Sequence, residues 1–176
     1  MNKLLALLML KDIAQKKQLS TLTKFSLLPP KVSIVQLAIC CKSVLQRVRK
    51  NLVKRILVIE DEPAIRLGMV RLLLLHKFNV VEAADGEMGL LLSKTIHPDL
   101  ILCDINLPVV NGFEILRQVR GNSATTFTPF VVTTSQTDQK IYQRSLELGA
   151  NHFFNKPISF DKLLTVVNHH LGISNS

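Results

Sequence analysis

Between residues 55 and 172, short unbroken apolar runs alternate with longer segments whose apolar positions recur every three or four residues. Ile56-Leu57-Val58-Ile59 is the first such run, and it stops at Glu60-Asp61-Glu62. Pro63 follows, a residue suited to the first turn of a helix. The helix predicted over about Ala64 to His76 places Ile65, Met69, Leu72 and Leu73 on one face, and Asn79 to Ala83 makes a short second strand. Asp85-Gly86 caps a helix running to about Ile96, which His97-Pro98 ends. Leu100 to Cys103 is a third strand with Asp104 at its tip, and Asn111-Gly112 opens a helix to about Val119. Pro129 to Thr133 is a fourth strand, closing in the hydroxyls of Thr133, Thr134 and Ser135. A helix over about Asp138 to Leu148 leads through Gly149-Ala150 into a fifth strand, Asn151 to Phe154, which ends at Asn155-Lys156-Pro157. Ser159 can cap the last helix, and Gly172 can close it.

Five strands alternating with five helices predict an α/β fold, a doubly wound (βα)5 parallel sheet, because right-handed crossovers place helices on both faces. Strands that are apolar at nearly every position fit a sheet covered on both sides. All strands of such a sheet point the same way, so the groups at their carboxyl ends gather along one edge, where such sheets bind ligands. That edge would carry Glu60 and Asp61, then Asp104, then Thr134, then Lys156. Asp104 read alone is a turn-forming residue at a strand end. Two acids, a hydroxyl and an amine at equivalent strand ends make a site instead.

Charge divides the chain differently from hydropathy. Residues 1–55 hold 12 Lys or Arg and one acid, while residues 56–176 hold 10 and 12, so a net charge of +9 splits into +11 and −2. This is a basic arm on a nearly neutral domain, a different object from a basic nucleic-acid-binding domain. We therefore read residues 1–53 as a basic N-terminal extension, partly helical or disordered, residues 54–172 as one domain, and residues 173–176 as a tail. Leu4, Leu7, Leu8 and Ile13 can share a helical face, as can Val44, Leu45, Val48 and Leu52, with Pro29-Pro30 between them. A basic amphipathic helix can lie on an anionic membrane or meet an acidic partner. The plainer accounts, favoured together, are a loosely ordered extension or a stretch lying upstream of the true start codon. The apolar run after Lys3 ends at Lys11-Asp12 without a small-residue cleavage site, and it is far short of the ~20 residues of a membrane span. Three cysteines, an adjacent pair and the core-like Cys103, give neither a disulfide framework nor zinc-site spacing, which suits a reducing cytoplasm.

Two or three carboxylates at one edge suit Mg²⁺, a hard cation that takes oxygen ligands. A carboxylate beside such an ion is also a nucleophile toward phosphorus. The metal would neutralise charge on the transferring group, with Lys156 and the Thr134 hydroxyl directed at its oxygens.

These pieces together resemble the receiver domain of bacterial two-component response regulators: Ile56 to Pro63, Asp104-Ile105-Asn106-Leu107-Pro108 with Asn111-Gly112, Pro129 to Thr134, and Lys156-Pro157. The resemblance covers about residues 54–172. It implies a flavodoxin-like strand order 2-1-3-4-5 and a single-domain phosphorelay switch rather than an enzyme, catalysing only its own phosphotransfer and dephosphorylation. It implies Asp104 as the phosphoacceptor, with Glu60, Asp61, Asp104 and the backbone carbonyl of Asn106 as Mg²⁺ ligands. Thr134 and Lys156 would bind the phosphoryl group, and Phe153 would be the aromatic whose rotamer follows Thr134. Ser135 stands where the family usually has a smaller residue, often Ala, and Phe153 lacks the hydroxyl of the more familiar Tyr. A sensor histidine kinase or phosphotransfer protein is the implied donor, and the face over residues 138–171 would signal to an output protein that the sequence does not name. No direct DNA binding is expected. A strand-end-Asp phosphohydrolase would have a second acid where this chain has Asn106, and a phosphorylation-independent pseudo-receiver would have lost the acids or the lysine.

Overall fold

The computed structural model of the protein describes residues 53–136 and 138–173. The predicted extension over residues 1–53, apart from Val53, and the tail over residues 173–176, apart from Ile173, lie outside the described residues.

Among the described residues the chain alternates β1 (Arg55–Ile59), α1 (Pro63–Leu75), β2 (Asn79–Ala83), α2 (Gly86–Thr95), β3 (Leu100–Asp104), α3 (Gly112–Gly121), β4 (Phe130–Thr134), α4 (Gln139–Glu147), β5 (His152–Asn155) and α5 (Phe160–Leu171). The strands form one sheet in the order β2-β1-β3-β4-β5, every pairing parallel. Both the alternation and the strand order match the expectation. β3 and β4 are buried at every position, as unbroken apolar runs should be when helices cover both faces.

Period-two geometry divides each buried strand between two cores. Leu57, Ile59, Ile101, Cys103, Phe130 and Val132 point to one side, with Ile115, Leu116 and Val119 of α3 packed over them. Ile56, Val58, Leu100, Leu102 and Val131 point to the other, under Met69 and Leu73 of α1 and Leu163 and Val167 of α5. Full burial of one such side chain contributes about 1.5–3 kcal/mol, so these two layers hold the sheet edge rigid under the polar groups it carries. Cys103 is one of them, and burial, then Asp104 and Glu60, push its thiol far above the usual range. It is a core residue.

The expected helix starts at Asp85 and Asn111 are capped by their side chains, and so is the start at Asp138. Asp85 accepts from the Met88 N–H at 2.8 Å, Asn111 from Glu114 at 3.0 Å and Asp138 from Lys140 at 2.9 Å. Ser159 occupies the N-cap position of α5, but its side chain makes no capping bond; only its carbonyl takes part, accepting from the Leu163 N–H at 2.9 Å. Gly172 closes α5 in the left-handed conformation, φ 65°. His169 is exposed there, whereas His170 is half-buried. Burial, followed by repulsion from His169 and His152, holds the His170 pKa below its ordinary value.

The loop between β3 and α3 carries an unforeseen irregularity. Val109 has φ 64° and is 85% exposed. A β-branched residue is strained in that region, and its exposed side chain contributes little packing in return. We predict that Val109→Gly stabilises the domain by about 1 kcal/mol, the relief of strain exceeding the added entropy of the unfolded chain. Urea unfolding should show a higher midpoint; an unchanged or lower one would mean that Val109 makes a contribution the strain does not outweigh.

Candidate functional site

The parallel sheet brings its carboxyl ends to one edge, and the two central strands supply the acids. β1 ends at Ile59, so Glu60 and Asp61 leave the sheet beside β3, whose last residue is Asp104. Glu60 is fully buried, Asp104 nearly so, and Asp61 is exposed. Carboxylate oxygens of all three lie within 4.8 Å of one another. Lys156 arrives from the end of β5, before a cis bond to Pro157. Its Nζ donates to Glu60 Oε1 at 2.6 Å and Asp104 Oδ2 at 2.5 Å.

The electrostatics follow from this packing. Burial raises the Glu60 pKa above the ordinary carboxyl value, opposed by Lys156 and reinforced by Asp104 and Asp61. Burial pulls on Lys156 in the opposite sense, but its hydrogen bonds to Asp104 and Glu60 and their charges outweigh it, so the amine is held above its ordinary value. One cation thus serves two buried acids. Glu60 Oε2 remains a buried acceptor without a hydrogen-bond partner, an atom that a metal ion or an ordered donor would satisfy. An all-oxygen donor set of this kind fits a hard divalent cation such as Mg²⁺.

The remaining predicted residues sit around this centre. The Asn106 backbone N–H donates to Asp104 Oδ1 at 2.9 Å, and its side-chain amide donates to Thr134 Oγ1 at 3.4 Å. Thr134 also accepts from the Gln136 N–H at 3.1 Å and is fully buried. Its hydroxyl is therefore engaged beside the cleft rather than lining it. Phe153, on β5, is half-buried and meets the ring of Tyr142 edge-on, centroids 5.4 Å apart. An open cleft of about 730 Å³ lies over the acids, walled by Pro63, Ile65, Asn106, Ser135 and Pro157.

Two contributors escaped the sequence reading. The side chain of Asn106 links β3 to Thr134 although only its carbonyl was singled out. Arg66 in α1 donates from Nη1 to the backbone carbonyls of Glu60, at 2.7 Å, and Asp61, at 3.2 Å. The available signal was a cation in the first turns of a helix, where the dipole disfavours it.

A doubly wound parallel sheet with this strand order, bearing an acid triad and a lysine on its carboxyl edge, defines a flavodoxin-like α/β domain with an acidic strand-end pocket. The chain belongs to the response regulator receiver domain family, whose model matches residues 56–168. It is 34% identical over 122 residues to Protein CcdB of Bacillus subtilis, covering 67% of this chain and 98% of that protein. Among solved structures it is similar to the chemotaxis response regulator CheY4 of Vibrio cholerae, with 29% identity, a TM-score of 0.64, and 68% of this chain and 99% of that one covered. It is also similar to the receiver domain of the sensor histidine kinase PA1611 of Pseudomonas aeruginosa, described with a magnesium ion coordinated in its active-site cleft. There the identity is 25%, the TM-score 0.64, and the coverage 69% and 99%. Among the described residues no helix is long and apolar enough to cross a membrane.

Proposed function

We propose that this receiver domain is a phosphoacceptor switch in which Asp104 takes a phosphoryl group from a phosphohistidine of a sensor kinase or phosphotransfer protein. An Asp104 carboxylate oxygen forms the new O–P bond, the P–N bond to the donor breaks, and the departing imidazole nitrogen keeps the electron pair and is protonated. The observation that carries the reading is the arrangement around Asp104. It lies at the tip of a buried central strand, with Lys156 on one oxygen, the Asn106 N–H on the other and two further acids close by.

Glu60, Asp61, Asp104 and the Asn106 carbonyl would hold Mg²⁺, whose contribution is to neutralise charge on the phosphoryl oxygens. Glu60 and Asp104 keep Lys156 charged and at the cleft, so the amine is in place to receive a phosphoryl oxygen. Asn106 fixes the Asp104 carboxylate through its N–H. Incubation with acetyl phosphate should add one phosphoryl group by intact mass when Mg²⁺ is present, and chelation should abolish the gain. A gain of equal size in EDTA would contradict the role given to the acids.

In the switching step, a phosphoryl group on Asp104 would draw the Thr134 hydroxyl away from Asn106 and Gln136 and let Phe153 turn inward. The surface over residues 138–171 would then be remodelled. Contact differences of a few kcal/mol are enough to exchange two such states. Beryllofluoride, a phosphoryl mimic, should shift the NMR signals of Thr134, Tyr142 and Phe153, and shifts that spare all three would sink this step.

A further inference from the structure

Two acids of the cleft, Glu60 and Asp61, sit on a turn; Lys156 holds the Glu60 side chain from the cleft side, while the backbone of the turn is held from outside the cleft. Glu60 is anchored on one side by its N–H, which donates to the Ala83 carbonyl of β2 at 3.1 Å. Beyond it the backbone of Glu60, Asp61 and Glu62 leaves the sheet and enters α1. The carbonyls of Glu60 and Asp61 converge on Arg66 Nη1, at 2.7 and 3.2 Å, while Arg66 Nε donates to Glu82 Oε2 at 3.2 Å. The guanidinium is mostly buried, with the Arg66 side chain 17% exposed and Glu82 55% exposed.

Cation and helix dipole oppose each other at this position, so the contact with the two carbonyls must supply the compensating gain. A planar guanidinium can direct Nη1 and Nε to different acceptors at fixed angles, which a single ammonium cannot do. With both carbonyls pinned on the Arg66 side, the peptide planes that follow Glu60 and Asp61 are fixed. The backbone that carries the two carboxylates is thereby fixed where their oxygens lie within 4.8 Å of those of Asp104.

We infer that Arg66 is a positioning residue that pre-orients Glu60 and Asp61 for a divalent cation, holding the turn from behind without touching the ion. This rests on the Mg²⁺ reading proposed above, and the test separates the two. Groups that orient metal ligands typically change affinity by about 10–100-fold when removed. Arg66→Ala should weaken Mg²⁺ binding by calorimetry by roughly tenfold. Arg66→Lys, with one ammonium for two carbonyls, should fall between it and the native protein, and Glu82→Gln should stay near native. In metal-free protein, Arg66→Ala should also shift the amide NMR signals of Asp61 and Glu62, the peptides whose carbonyls it bonds.

Native Mg²⁺ affinity in folded Arg66→Ala would overturn the inference, as would unmoved Asp61 and Glu62 signals. Should Arg66→Ala fail to fold, Arg66→Lys decides it by the same two readouts. If the native protein itself binds no Mg²⁺, the metal reading falls and the inference with it, while the metal-free amide signals still show whether Arg66 fixes the turn.

Discussion

Replacing Lys156 with methionine is expected to cost the domain about 3 kcal/mol of stability in the absence of divalent metal, the lower end for breaking a buried ion pair by removing one partner. The native Lys156 side chain is 10% exposed, and the side chains of the acids it serves are 0% exposed at Glu60 and 5% at Asp104. Methionine retains much of the apolar stem but provides no charge, leaving two acids to repel each other in a poorly solvated site. Glu60, already disposed to bind a proton by its burial, would relieve part of this at lower pH. On the proposed metal reading, Mg²⁺ should restore more stability to the variant than it adds to the native protein, because it no longer competes with a resident ammonium. The measurement is urea unfolding of both proteins in EDTA and in Mg²⁺. A variant within about 0.5 kcal/mol of native in EDTA, the range of an ordinary surface change, would show that Lys156 does not balance the buried acids.

Gly112→Ala should be comparably damaging for a purely steric reason. A Cβ at Gly112 would stand 2.3 Å from the Asp104 carbonyl oxygen and 2.9 Å from the Ile105 Cα, both backbone atoms. The Gly112 N–H also donates to the Ile105 carbonyl at 3.0 Å, so the loop closes on itself at this point. Overpacking of this kind costs about 1–3 kcal/mol or more, and relief by backbone movement would displace Asp104. Gly121, at the other end of α3, has nothing within 4 Å of its would-be Cβ. Gly121→Ala should therefore be neutral or gain up to about 1 kcal/mol from helix propensity. Thermal unfolding of the two variants side by side separates the steric effect from a general intolerance of alanine in α3. Equal midpoints would contradict the close packing of the β3–α3 loop.

The elements were legible because the buried strands are apolar without interruption and are punctuated by Pro, Gly, Asn and Asp. The same continuity concealed the division of β1, β3 and β4 between two cores, since a strand buried on both faces shows no alternation. Strand order came from a family resemblance, because alternation of strand and helix fixes no order by itself. Glu60, Asp61, Asp104 and Lys156 could be gathered in advance since a parallel sheet puts all strand ends on one edge. The link from Asn106 to Thr134 could not, because those residues are 28 positions apart and meet only through the register that sets Asp104 opposite Thr133. Arg66 was missed for a related reason: the partners that tie it to the site are backbone carbonyls, which carry no sequence signature. Ser159 shows the converse limit, a good capping residue whose hydroxyl makes no capping bond.

The central claim concerns one atom group, the Asp104 carboxylate, and the location of the phosphoryl group tests it. Native protein and Asp104→Asn should be treated with acetyl phosphate and Mg²⁺, reduced with borohydride to trap any acyl phosphate, and mapped by peptide mass spectrometry. The account predicts a trapped label on Asp104 in the native protein and no label in the variant. A label that persists in Asp104→Asn, or that maps to another residue in the native protein, would contradict it.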